Sequence, residues 1–168
     1  MVNTLFLPEL REMLAASNEV ELREFCTALH PARTAEFMEG LEDNELWQVL
    51  QFAEPSLRAE IFSYFDWDRQ VELIKEQAPN EVSDLFNHVS ADDVVDLLNE
   101  LPEDRADAIV TLMPAVERRD IRRLQTYEEG TAGAIMTTEA VRLSEGLTVR
   151  QALEQLSSES ESFETVYY

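Results

Sequence analysis

The sequence predicts an all-α protein, a solenoid of short helix pairs, and three observations carry that prediction. Large apolar residues recur at an interval of 24 in four registers: Leu41, Phe65, Val89 and Met113; Phe37, Ile61, Leu85 and Ile109; Met38, Phe62, Phe86 and Val110; Val49, Leu73, Leu97 and Ile121. Within a unit, Phe37, Met38 and Leu41 stand at i, i+1 and i+4, one face of a helix, and Leu46, Val49 and Leu50 repeat the arrangement. Pro31, Pro55, Pro79 and Pro102 open successive units, where a missing backbone N–H is harmless in a helix's first turn.

Taken in order, residues 1–30 read as one or two helices, with Asn18 as an N-cap before Glu21 and a helix running through Leu29. Met13, Leu14, Leu22 and Phe25 lie one period before their counterparts and mark a degenerate capping repeat. The array proper runs from Leu29 to Gln125. Each half-unit of about 12 residues leaves room for two to three helical turns and a tight connection such as Glu42-Asp43-Asn44, which is suited to an N-cap. Helices this short are marginal alone in water, so stacking on the next repeat must stabilise them. Pro114 opens the second helix of the last unit, which carries the basic cluster Arg118, Arg119, Arg122 and Arg123. Those arginines are cations favourably placed late in a helix, or a docking strip for an acidic neighbour.

After Tyr127 the period breaks. Glu128-Glu129-Gly130-Thr131-Ala132-Gly133 reads as a connector, and Ala140-Val141-Arg142-Leu143 as a short strand. Thr148 caps a helix from Val149 to about Ser157, with Val149, Ala152, Leu153 and Leu156 on one face. A polar stretch follows to Ser162, and Phe163 to Tyr168 begins a second strand, so residues 139–168 look like a strand–helix–strand unit cut short.

Composition narrows the function classes. With 4 glycines and 45% apolar residues the chain is neither disordered nor all-β, and no apolar run approaches the ~20 residues of a membrane span. The first residues lack the basic start and apolar core of a signal peptide, so a cytoplasmic location is expected, with no direct membrane insertion. Thirty-five acids against 13 bases give a net charge of −22, which repels nucleic acid and anionic lipid and favours cations or basic surfaces. For any single carboxylate the plain account is the solvated side of an amphipathic helix. The single Cys26 excludes an internal disulfide and sits at a core position. His30 and His88 stand alone beside helix ends, as capping or surface residues, and no phosphate loop, nucleophile elbow or zinc signature accompanies them. No enzyme is expected.

The segment Tyr127-Glu-Glu-Gly-Thr-Ala132-Gly133-Ala-Ile135-Met136-Thr137-Thr138-Glu139 closely resembles the join between the helical domain and the CBS domain pair of MgtE-family magnesium transporters. Leu143-Ser-Glu-Gly146-Leu-Thr148-Val149 and Glu164-Thr-Val166-Tyr167-Tyr168 look like the opening and the next strand of the first CBS motif in that family. The resemblance implies a right-handed superhelical domain over residues 1–127, a connector over 128–138 and an incomplete α/β CBS motif over 139–168.

The resemblance also implies a Mg²⁺ sensor at the cytoplasmic face of the membrane. Mg²⁺ would bind between the acidic helical domain and the CBS domains, hold them together and keep the pore closed. Partners would be the protein's own CBS and transmembrane domains, with a homodimer in the full-length context. By position in the family pattern, Glu60 and Asp92, with Asp93 beside it, are expected to supply metal ligands, and each is expected near a helix start. There an acid is also accounted for by the helix dipole alone. The rival reading is a helical interaction scaffold, similar to the helical domain of flagellar switch proteins; the run into a CBS strand speaks against it.

Overall fold

The computed structural model describes residues 6–128, 130–134, 136 and 143–159, and every regular element among them is an α-helix. The array comprises α1 (Leu7–Ala15), α2 (Glu19–Ala28), α3 (Pro31–Met38), α4 (Asp43–Leu50) and α5 (Pro55–Ser63). It continues with α6 (Trp67–Glu76), α7 (Pro79–Phe86), α8 (Ala91–Asn99), α9 (Glu103–Leu112) and α10 (Ala115–Leu124). Helix α11 (Val149–Glu159) follows in the chain. Successive starts from Leu7 to Ala115 fall 12 residues apart, so a pair of helices makes one 24-residue unit.

The pairs stack in two layers. Odd helices pack on odd, α3 on α5, α5 on α7 and α7 on α9, while α2 packs on α4, α4 on α6 and α8 on α10. This is why the apolar ladders exist: a residue and its counterpart 24 positions later meet the same interior. Of the sixteen ladder residues fifteen are buried, and Val89 packs against the core from a half-buried position. Burying a side chain of this size is worth about 1.5–3 kcal/mol, enough in sum to hold helices too short to persist alone.

Local chemistry sets the boundaries. Pro31, Pro55 and Pro79 occupy the first helical position, whereas Pro102 and Pro114 stand one residue earlier, as the N-caps of α9 and α10. Asn18 Oδ1 accepts from the Glu21 amide at 3.4 Å and caps α2. That helix ends at Ala28, because Leu29 is extended (φ −124°, ψ 165°) ahead of His30 and Pro31. Glu42 and Glu45 form a capping box at α4, and the Ala32 amide donates to His30 Nδ1 at 3.3 Å, which caps α3.

Arginines close the opposite ends. Arg58 donates to the carbonyls of Leu50, Gln51 and Ala53 past the end of α4. Arg105 donates to Ile74 and Gln77 at the end of α6, Arg69 to Leu41, and Arg118 to Thr111 near the end of α9. These carbonyls lie at or near helix ends or in the connections between helices, where backbone donors run short, and the guanidinium supplies one.

The first unit caps the stack. Helix α1 packs on α2 and α4, and Arg11 grips the Glu45 carboxylate through Nε at 3.0 and 3.1 Å. Leu7 lies close over Gly40, where a Cβ would sit 2.4 Å from Leu7 Cδ1, so any other residue at position 40 makes the Leu7 side chain shift.

Beyond the array, the Thr148 amide donates to Gln151 Oε1 at 3.0 Å and the Gln151 amide to Thr148 Oγ1 at 3.4 Å, starting α11 as expected. The helix runs past Ser157 to Glu159, and Val149 and Leu153 on its apolar face are exposed. The expected strand at residues 140–143, save Leu143, and the one at residues 163–168 lie outside the described residues.

Candidate functional site

Asp92 and Asp93 are the second and third residues of α8, in the first turn, where the helix's free amides favour an anion. They differ in surroundings. Asp93 is exposed and its Oδ2 accepts from the N-cap hydroxyl of Ser90 at 2.8 Å. Asp92 is half-buried, and its Oδ1 is sealed from water without a hydrogen-bond partner.

Glu60 corrects an expectation. It is the sixth residue of the nine-residue α5, not near the helix start, so the dipole of its own helix does not account for it. Pro55, which fixes the first turn, lies five residues before Glu60. Glu60 is exposed, and no ion pair reaches its carboxylate among the described residues.

The repeat spreads carboxylates rather than gathering them. Glu36, Glu60 and Asp84 stand 24 residues apart on the stacked helices α3, α5 and α7, and Asp68 precedes Asp92 by the same interval on the even helices. No group of three or more acidic, histidine or cysteine side chains converges at ligand spacing among the described residues. Sequence reading missed this column, although the interval that exposes the apolar ladders exposes it equally.

Tested against Mg²⁺, the donors are chemically apt: the ion takes one or two carboxylates, retains waters and tolerates an open site. Asp92, with an oxygen lacking a donor, and Glu60, free at the surface, fit such partial coordination.

Cys26 and Glu45 have structural roles. Burial pushes the Cys26 thiol up to about 11, and Sγ meets the Val49 carbonyl at 3.7 Å, so this cysteine is a core residue. Arg11 holds the Glu45 carboxyl below the usual carboxylate range through its hydrogen bonds. His88 Nδ1 lies 3.5 Å from Ser56 Oγ on the surface. Arg122 and Arg123 occupy the last turn of α10, and both are exposed.

With this geometry in place, comparison with known proteins decides the family: the model described as the MgtE intracellular N domain matches residues 29–130, the helical array and the start of the connector. The chain belongs to that family. The magnesium transporter MgtE of Enterococcus faecalis is 31% identical over 161 residues, which cover 95% of this chain and 36% of the transporter. The magnesium transporter MgtE of Thermus thermophilus is 30% identical over 162 residues, with the same coverage of 95% and 36%. The chain thus spans little more than a third of the curated relatives it matches. Among solved structures, the soluble part of a magnesium transporter superposes with a TM-score of 0.82 at 30% identity, over 95% of this chain and 63% of that one. The cytosolic domain of the Mg²⁺ channel MgtE in complex with ATP gives 0.79 at 28% identity, over 94% and 65%. No helix among the described residues is long and apolar enough to cross a membrane.

Proposed function

We propose that the chain is the Mg²⁺-sensing regulatory region of an MgtE-type magnesium transporter or channel, held at the cytoplasmic face of the membrane. Residues 1–127 form the sensing array, 128–138 the connector and 139–168 the start of a CBS motif. The observation that carries the reading is membership of the MgtE intracellular N domain family over residues 29–130, joined to a net charge of −22. A divalent ion shared between two acidic surfaces cancels their repulsion, so its occupancy becomes a domain distance.

In this reading Glu60 and Asp92 supply carboxylate oxygens from the array, Asp93 assists through the field at the start of α8, and the facing ligands come from the CBS pair. The carboxylates are spread along the stack, which suits sites completed by an opposing surface better than a closed cage. The partners are the protein's own CBS and membrane domains, and the full-length protein is a homodimer. The role is regulatory and not enzymatic.

Sedimentation velocity on a longer chain that includes the complete CBS pair tests this directly. Added Mg²⁺ raises the sedimentation coefficient at unchanged mass if the domains close on the ion. A coefficient that ignores Mg²⁺ while the chain captures a defined protein partner supports the interaction-scaffold reading instead.

A further inference from the structure

Each unit of the array is covered by the one that follows, and α9 and α10 form the last. At that end the residue types change in three columns of 24-residue spacing. Cys26, Leu50, Ile74 and Leu98 on the even helices are all buried, and the next member of their column is Arg122, which is exposed. Cys26 Sγ meets the Val49 carbonyl of the following unit at 3.7 Å, so this column faces the successor. Trp47, Val71 and Val95 are buried, and their column ends on Arg119, with a side chain 77% exposed. On the odd helices Ala35, Ala59 and Ser83 are buried, and their column ends on Asp107, which is exposed. Arg23 and Arg11 begin the last two columns in the first unit, so charge stands at both ends and none between.

The arginines of α10 thus divide by role. Arg118 donates to the Thr111 carbonyl at 3.1 Å. Arg123 continues a column that is exposed in every unit, through Thr27, Gln51, Lys75 and Asn99. Arg119 and Arg122 stand where buried apolar residues stand in the inner units. A helix pair laid over this end would take two guanidinium groups and a carboxylate out of water, which is costly unless each meets a partner. Neither Asp107 nor Arg122 has an ion pair among the described residues, and Arg119 meets only Asp120, at 3.9 Å. With alanine, valine and leucine in their places the same face would be an apolar end open to a second copy.

We propose that Asp107, Arg119 and Arg122 are a built stop: they keep a second copy of the chain from packing on the end of the array, so the outer face of α9 and α10 stays in water although every earlier pair is covered. The stop needs no bound ion, and it stands or falls apart from the Mg²⁺ reading.

The test is sedimentation equilibrium of the full 168-residue chain in EDTA, with circular dichroism as the check of folding. Asp107→Ala, Arg119→Val and Arg122→Leu combined give the last unit the residue types of the inner ones. The weight-average mass of that variant is expected to rise with concentration to about twice that of the parent, because two like faces close on each other. Lys75→Val with Arg123→Leu adds the same two apolar side chains in the column that is exposed throughout, and is expected to leave the mass at the parent's value. An unchanged mass in the first variant, or an equal rise in the second, would overturn the proposal. If the triple variant fails to fold, Arg122→Leu and Arg123→Leu decide alone: the substitution is the same at adjacent residues, self-association is expected only in the first, and equal behaviour would overturn the proposal.

Discussion

Arg58 Nε donates to the Leu50 carbonyl oxygen at 3.0 Å, so the helix that carries Glu60 also holds the C-terminal end of the helix before it. The same guanidinium reaches Gln51 and Ala53, and burial lowers its pKa while Asp84 and other nearby acids oppose that shift. Arg58→Ala removes the side-chain donor from the Gln51 and Ala53 carbonyls, while the Leu50 carbonyl keeps the Ala53 amide, and is expected to cost about 2–3 kcal/mol, read from the urea midpoint. Arg58→Lys should recover less than half of the loss, since an ammonium lacks the planar fork.

Trp47 Nε1 donates to Glu81 Oε2 at 3.0 Å, a link from an even helix in one unit to an odd helix further along. Trp47→Phe keeps the buried ring but strands the Glu81 oxygen, for an expected loss of about 1–2 kcal/mol in urea. Glu81→Gln retains an acceptor and should lose less.

The ion pair between Arg11 and Glu45 makes the attachment of α1 depend on pH. The Glu45 carboxyl titrates lower in the folded chain than in the unfolded one, so its contribution is present above the free glutamate pKa of about 4.3 and is lost as pH falls through the folded value. Glu45→Gln preserves the capping acceptor and removes only the charge. Hydrogen exchange in α1 should therefore be faster in the variant than in the parent at pH 7, and the two should converge as pH falls through the folded value.

Cys26 is fully buried, and its thiol is raised to about 11. An aromatic disulfide reagent at pH 8 should react only as fast as the chain opens, with labelling accelerating across the urea transition. Because the folded pKa is the higher one, stability should be intact below the free thiol value of about 8.5 and decline as pH rises towards 11. Cys26→Ala should abolish that alkaline decline.

The array was legible in the sequence because packing and sequence share a period. Each ladder residue meets its counterpart's neighbours in the next unit, so burial itself repeats, as Leu41, Phe65 and Met113 show at 3% exposure each. Helix starts were legible where proline marks them. Less legible were interactions made across the repeat by long side chains: an arginine follows three of the opening prolines, Arg33 after Pro31, Arg58 after Pro55 and Arg105 after Pro102, yet this spacing does not show that Arg58 and Arg105 reach the ends of other helices. The candidate site was read only as positions. Asp92 and Asp93 are in a first turn as expected, Glu60 is not, and the sealed oxygen of Asp92 depends on packing that no local motif encodes.

The most direct measurement is the radius of gyration, by small-angle X-ray scattering across a Mg²⁺ titration, of a longer chain that includes the complete CBS pair. The account predicts compaction with a defined midpoint, displaced to about tenfold higher Mg²⁺ or more when Glu60→Ala and Asp92→Ala are combined. An unchanged midpoint in that double variant would contradict the assignment of these carboxylates, and no compaction in the parent chain would contradict Mg²⁺ sensing itself.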